Sequence, residues 1–367
     1  MTETQSSVER PATIYDVARA AGVSHATVTR LLNGYAGIRP ETRDRVAEAI
    51  RELGYRPNLN ARSLTTGRSH RIAALTHEIT QVGPNKILEG ANMAARDAGY
   101  LLDVITLDVH DPAAIGESID LALQFDLAGV LALSSTDEVT NAVENATFRV
   151  PLYLATGTDR RPTDSSPAGN GLFAVLRHLA DLGHRDVVHI AGPHDWVGAR
   201  NRIREYEAAV AELGLRSRGV IHGDWSARSG YQAIASWPEE LPATAFVAAN
   251  DQTALGVILA LNERGYRVPD DVSVTGVDDI PEAAYFSPPL TTLRLDFTAQ
   301  GGDAVQQLLA RIDGVAPPPL PTRRSELIVR RSTGPARPAL DTGRGPEEAR
   351  RSARRTVGAH GLPADLA

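Results

Sequence analysis

Two groups of residues in this chain could do chemistry. The first lies in HATVTRLL, His25 to Leu32, where helical spacing puts His25, Ala26, Thr29 and Arg30 on one face and Thr27, Val28 and Leu31 on the other. A short polar face of that kind suits reading the edges of base pairs from the major groove, although any antiparallel helix pair would show the same spacing. The second group is scattered. Thr76, Ser134 with Ser135, Asp195 with Trp196, Trp225, Asn250 with Asp251, and Asp278 with Asp279 each follow a short apolar run, and Arg202 lies nearby in the chain. Carboxylates, Asn and Arg take vicinal hydroxyls while an indole covers an apolar ring face, so the set could grip a sugar. Singly, each is an ordinary cap or turn residue; their recurrence at successive run ends is what favours a cleft.

The elements that must position the first group read as helix, turn, helix. Val17, Ala18 and Ala21 recur at helical spacing, Gly22 interrupts, and Val28, Leu31 and Leu32 resume the pattern. Thr13 and Ser24 stand where N-cap hydroxyls belong, with Asp16 completing a capping box. A third helix follows, with Pro40 and Glu41 in its first turn, Val46, Ile50 and Leu53 as its apolar stripe and Gly54 as its stop. Next, Pro57 breaks the pattern and Asn58 can cap a segment to Leu64 that is too short to be helical alone. Leu64 is an apolar residue in a polar linker, either an isolated surface leucine or a wedge between base steps.

The second group requires alternating strands and helices. RIAALT, LLDVITL, AGVLALS and PLYLAT alternate with helical patterns near Lys86 to Ala98, Ala113 to Gln124 and Glu138 to Asn145. After a helix ending near Leu182, a second series runs through DVVHIAG, VIHGD, AFVAAN and DVSVTGV, with helices near Ala199 to Leu213, Ser226 to Ser236 and Gln252 to Arg264. Such alternation predicts α/β lobes, each a parallel sheet flanked by helices, with ligands bound beyond the carboxyl ends of the strands. The last residues, from Pro335, are rich in Pro, Gly and Arg and predict a disordered tail.

Charge divides the same way. The 367 residues carry a net −7, yet nine arginines against five carboxylates leave +4 between Pro11 and His70 and put −11 on the rest. Only the N-terminal piece favours phosphates. The chain has no cysteine, hence no disulfide or thiolate metal site. No apolar run reaches membrane-spanning length and the opening MTETQSSVER is not a secretory signal, so a cytoplasmic protein with no metal, cofactor or membrane partner is expected.

Thr13 to Ser69, through TIYDVARAAGVSHATVTRLLNG, ETRDRVAEAI and LGYRPNLNARSL, resembles the DNA-binding head and hinge of the lac/gal repressor family. HLADLGHRDVVHIAGP, GDWSARSG, AANDQTALG, VSVTGVDD and SPPLTTLRLDF extend the resemblance through the body, with GDWSARSG similar to the lac subgroup. The resemblance implies a homodimer on a near-palindromic double-stranded operator, controlled by a sugar or glycoside effector. It implies base contacts by His25, Ala26 and Arg30, and backbone contacts by Thr13, Tyr15, Ser24, Thr27, Asn33, Thr42, Tyr55 and Asn58. Leu64 would be the minor-groove wedge, and Arg202, Trp225, Asn250 and Asp278 the effector contacts. Arg30 suits the two acceptors of a guanine and Ala26 a thymine methyl. Thr156 and Leu295 depart from the lac subgroup, which has an aspartate and a glutamine there; a β-galactoside is therefore one candidate among several. The tail lacks that subgroup's leucine heptads, which leaves a dimer.

The expected division is a disordered 1–10, a helix-turn-helix domain at 11–56, a hinge at 57–70, a two-lobed effector-binding and dimerisation body at 71–334 and a disordered 335–367. Two rival classes stay open: a periplasmic sugar-binding protein, against which the basic head counts, and a dinucleotide enzyme. For the latter, Gly169 to Ala174 spells GxGxxA but follows TDSSP and not a strand.

Overall fold

A computed structural model of the chain describes residues 10, 12–32, 34–55, 69–109, 111–156, 171–237, 241–321, 323 and 325–337. The expectations for Asn33, for the hinge with Asn58 and Leu64, and for the far tail fall outside these residues. The chain divides into two compact units, Met1–His70 and Arg71–Ala367.

In the first unit, helices α1 (Ile14–Ala20), α2 (His25–Leu32) and α3 (Pro40–Glu52) enclose a core of Val17, Ala18, Ala21, Val28, Val46 and Ala49. Thr13 and Asp16 make the expected capping box at α1. Ser24 Oγ accepts from the amide of Thr27 at 3.2 Å at the start of α2. Leu53, expected in the α3 stripe, is instead exposed at the C-cap, because the helix ends there and Gly54 turns the chain with φ +56. Tyr55 packs on the core in its place.

The second unit holds two sheets. The first contains β1 (Arg71–Thr76), β2 (Leu101–Thr106), β3 (Gly129–Ser134) and β4 (Leu152–Thr156) in the parallel order β2-β1-β3-β4. Strand alternation fills both faces, as a fully covered parallel sheet requires. Ile72 and Ala74 of β1 face α4 (Val82–Asp97), while Ala73 and Leu75 face α5 (Pro112–Ala122) and α6 (Asp137–Asn145).

The second sheet is flanked by α7 (Leu172–Asp181) and α8 (Val197–Glu212) on one face, and by α9 (Ala227–Ala235) and α10 (Asp251–Glu263) on the other. Its strands β5 (Asp186–Ala191), β6 (Arg216–His222), β7 (Ala245–Ala248) and β8 (Ser273–Val277) are the four the alternation predicts. Two more join them, β9 (Thr291–Arg294) and an antiparallel edge β10 (Glu326–Ile328), in the order β10-β9-β8-β7-β5-β6.

Reading two consecutive series misses how the lobes are shared. After β9 the chain forms α11 (Phe297–Ile312), which packs not on its own sheet but on the first one, with Ala304, Val305 and Leu308 against Ile72, Ala74 and Leu131. The chain then returns to the second sheet as β10. Two glycines permit the α4–α11 crossing. A Cβ on Gly90 would stand 1.7 Å from the Thr298 carbonyl, and one on Gly301 would stand 1.8 Å from that of Ile87.

The body also runs past the boundary expected at 334. The amide of Ala336 donates to the Leu182 carbonyl at 2.8 Å, and Arg337 pairs with Asp271. Exposed arginine composition hid a strap that is anchored upstream by Ser332, whose hydroxyl donates to the Val274 carbonyl at 2.6 Å.

Candidate functional site: a helix face and an interlobe cleft

The α2 face is built as its spacing demands. His25, Ala26, Thr29 and Arg30 are exposed, and Val28 is fully buried beneath them. Among the described residues Arg30 makes no ion pair, which leaves its guanidinium available. Tyr15 of α1 is exposed and lies beside His25, with ring centroids 5.2 Å apart, so the first two helices present one continuous surface. Ser24 and Thr27 sit together at the start of that surface, 3.0 Å between hydroxyls. Thr13 spends its hydroxyl on the Asp16 carboxylate at 2.6 Å, which holds that carboxyl below its ordinary range. Thr42 and Tyr55 are half-buried on α3 and just beyond it.

In the body, strand order creates the cleft. It reverses between β1 and β3 in one sheet and between β5 and β7 in the other, and crevices open beyond the carboxyl ends of strands at such points. His77 follows β1, is fully buried, and accepts the Ser135 amide at Nε2 across the first reversal at 3.0 Å. That bond and the burial, which pushes the imidazole down to about 4 against the opposing charge of Asp195, keep the ring neutral with its proton on Nδ1. Among the described residues Nδ1 itself is buried without a partner.

The loops beyond β3 and β5 touch directly. The Val197 amide donates to the Ser135 carbonyl at 2.9 Å, Thr136 and Trp196 pair as an antiparallel bridge, and Arg200 reaches Asp137 at 2.7 Å. Trp196 thus stands between the lobes. Its ring meets His77 at 5.3 Å and Trp225 at 5.6 Å, both edge to face.

Trp225 lies in the second lobe with φ +69, buried, its Nε1 without a partner among the described residues. The indole rests on the end of β5 because position 192 is glycine; a Cβ there would come within 2.4 Å of the ring. Arg202 from α8 sits over the indole at 5.2 Å, donates to the Ala249 carbonyl at 2.6 Å, and reaches Asp278 at 3.3 Å. Burial pushes the Asp278 carboxyl up to about 6, and Arg202 works against that rise. Arg202, Trp225 and Asp278 are therefore one assembly.

Asn250 adjoins it in a bracing position: its Oδ1 caps α10 by accepting from Thr253 at 2.9 Å, and its Nδ2 donates to the Trp225 carbonyl at 2.9 Å. Asp279 is not a cleft carboxylate, since Arg294 and Arg330 both hold it at 2.6 Å. Asp251 points into the core, where Thr292 donates to it at 2.5 Å and the Ile280 amide at 2.9 Å. Ser134 donates to the Thr136 carbonyl, and Leu295 packs on the second-lobe core.

Sequence reasoning missed His77, whose only signal is its place directly after a buried strand, and did not single out Trp196 as the ring joining the lobes. The dinucleotide reading has a structural answer. The first turn of α7 is already occupied, with Glu205 accepting the Leu172 amide at 3.2 Å and Ser325 accepting that of Gly171 at 2.8 Å. No described group of His, Asp and Glu could hold a metal ion, and no described helix is long and apolar enough to cross a membrane.

Comparison with known proteins matches this two-part construction. Residues 13–58 match the model of bacterial regulatory proteins of the lacI family, and residues 176–333 match a periplasmic binding protein-like domain. The lactose operon repressor of Escherichia coli is 32% identical over 311 residues, covering 84% of this chain and 86% of the repressor. The HTH-type transcriptional repressor PurR of Haemophilus influenzae is 30% identical over 333 residues, covering 88% of this chain and 98% of its own length. The structure of the lac repressor dimer bound to operator and the anti-inducer ONPF superposes with a TM-score of 0.74 at 31% identity, covering 89% of this chain and all of that one. A CelR–cellobiose complex follows at 0.62 and 27%, covering 88% and 99%. These relatives are repressors and not enzymes, and the chain belongs to the lacI family of bacterial regulatory proteins, DNA-binding regulators of transcription.

Proposed function

We propose that this protein is a cytoplasmic repressor that binds a near-palindromic operator as a homodimer and is released by a sugar or glycoside. The observation that carries the reading is the Arg202–Trp225–Asp278 assembly at the interlobe cleft of a chain that also holds the exposed α2 face. A cation, a carboxylate and an indole in one crevice match a hydroxylated ring with an apolar face.

In this reading His25, Ala26 and Arg30 touch base edges. Tyr15, Ser24, Thr27, Thr42 and Tyr55, with Thr13 at the helix cap, hold phosphates, as do Asn33 and Asn58. Leu64 enters the minor groove at the centre of the site. Effector contact falls to Arg202, Trp225 and Asp278, with Asn250 bracing the Trp225 loop and offering its remaining amide hydrogen. Support for a dimer comes from the exposed Leu255 and Leu259, one turn apart on α10, and from exposed Leu101 and Val104 on the edge strand β2. A ligand acts through its different affinity for the two dimer states.

A gel shift with the promoter regions flanking the gene, with and without a sugar panel, tests the proposal. The expected result is a retarded complex that one class of sugar dissolves, and for Trp225→Ala a complex that no sugar dissolves. A complex tightened by sugar would replace release with co-repression; no complex in any condition would overturn the reading.

A further inference from the structure

We propose that Arg330 is a positioning residue for the effector site: its grip on Asp279 keeps the neighbouring Asp278 in a left-handed backbone conformation that aims the Asp278 carboxylate at Arg202. This rests on the effector-site reading above and deepens it.

The turn that follows β8 is strained. Asp278 and Asp279 both have positive φ, +109 and +51, a region that residues with a Cβ rarely adopt and keep only where their surroundings over-determine it. Main-chain bonds supply part of the hold. The Asp278 amide donates to the Leu293 carbonyl at 2.8 Å, and the Ile280 amide donates to Asp251 at 2.9 Å. Asp279 lies between these anchors, and its own amide reaches only the Thr292 hydroxyl, at 3.4 Å. Its carboxylate is the remaining handle, 7% exposed and held by Arg294 and Arg330, each at 2.6 Å. Asp278 has no comparable clamp. Among the described residues its carboxylate meets one polar partner, Arg202, at 3.3 Å. The direction in which the backbone points the Asp278 side chain therefore decides whether Arg202 and Asp278 stay together.

The two arginines are not equivalent. Arg294 is half exposed and divides its guanidinium between Asp279 and Glu326. Arg330 is only 18% exposed and donates also to the Leu290 carbonyl at 2.9 Å. Its backbone is fixed as well: its amide donates to the Thr291 hydroxyl at 2.9 Å, and two residues on, Ser332 is tied to Val274. An ion pair shielded from water and carried on a fixed backbone positions its partner more firmly than an exposed, shared one. Arg330 belongs to the strap that runs on to the Arg337–Asp271 pair. A segment beyond every proposed effector contact in sequence thus reaches back, across 51 positions, to set the geometry of one of them.

The first experiment needs no ligand. It follows the Trp225 indole N–H resonance of the full-length protein by NMR through a pH titration, because Arg202 lies over that ring and pairs with Asp278. In the wild type the resonance should step near pH 6, where burial has pushed the Asp278 carboxyl. Asp278→Asn should abolish the step, which separates it from the other ionisable groups around this cluster, Asp251, Asp279, His189 and His222. Arg330→Met should free Asp278 from its buried place, return its carboxyl toward the ordinary range and remove the step from about pH 5 to 7; Arg330→Lys should restore most of it. Asp279→Ala and Asp279→Gly address the same point with Arg330 intact. Alanine is strained at φ +51 and should behave like Arg330→Met, whereas glycine adopts that conformation freely and should keep the step. Calorimetric titration with methyl glycosides of common hexoses gives the second reading, in which Arg330→Met should weaken the tightest of them about tenfold. A wild type that binds none of them overturns the sugar reading, while the resonance still decides the role of Arg330. An Arg330→Met protein with a lowered melting temperature and an unchanged step overturns the proposal. So does a wild-type resonance with no step near pH 6, or an Asp279→Ala protein indistinguishable from Asp279→Gly.

Discussion

Four buried titratable groups act against one another at the residue scale. Burial pushes Asp251 up to about 7 and Asp278 up to about 6, from an ordinary 3.8. Each native carboxyl holds its proton more tightly than the unfolded one, so its contribution to stability is full below 3.8 and is lost as pH rises through the native value. His77 and His189 move the opposite way, both down to about 4 from 6.5 by burial. Their contribution is full above 6.5 and is lost as pH falls toward 4. Across the interval between, the two pairs oppose, and the wild-type stability profile should be nearly flat. Asp251→Asn removes one descending member. Urea denaturation of that variant should show stability rising with pH between about 4.5 and 6, by up to about 1.4 kcal/mol per unit relative to wild type. Parallel profiles would mean that Asp251 is already ionised in the native protein.

Glycine sets the spacing at the scale of elements. Gly90 of α4 and Gly301 of α11 bring the two backbones to a distance at which any side chain collides with a carbonyl. Gly230 of α9 and Gly256 of α10 do the same in the other lobe, opposite the Thr253 and Ala227 carbonyls. Both lobes thus press a helix pair together over one sheet face, and in the first lobe the pair joins segments some two hundred residues apart in the chain. Gly301→Ala should cost about 1–3 kcal/mol by forcing α11 off α4, read as a lowered melting temperature. Because α11 also connects β9 to β10 in the other lobe, that variant should shift the sugar response as well. A stability loss with an unchanged response would confine α11 to a packing role.

The molecule as a whole must couple two units of opposite charge. A basic head lowers the cost of approaching phosphates, and an acidic body discourages binding in other orientations. Two-fold pairing of such chains would present two α2 faces to one duplex, and the exposed leucines of α10 are the natural place for pairing to begin. Leu259→Asp should yield a monomer by sedimentation, fold normally because the side chain is half exposed, and lose most operator affinity. A monomeric variant that kept full operator affinity would remove dimerisation from the mechanism.

Much of this was legible from residue order alone. Capping hydroxyls, glycine stops and alternating apolar runs are local signals, and α1 to α3 and β1 to β8 follow from them because each depends on neighbours within a few positions. Trp225 and Asp278 were equally visible, since strand ends mark themselves by a change from apolar to polar, whereas Arg202, inside α8, stood out only as an arginine nearby in the chain and through the family resemblance. Contacts between distant segments decided the remainder. Whether α11 covers its own sheet or the other, whether Asp279 faces a ligand or two arginines, and whether Asn250 grips a sugar or braces a loop all depend on what lies opposite. So does the file from His77 through Trp196 to Trp225, in which His77 lies more than a hundred residues before the two tryptophans and is brought to them only where both sheets reverse their order. Local pattern carries periodicity and capping; it carries no record of which surfaces meet when the chain crosses between lobes.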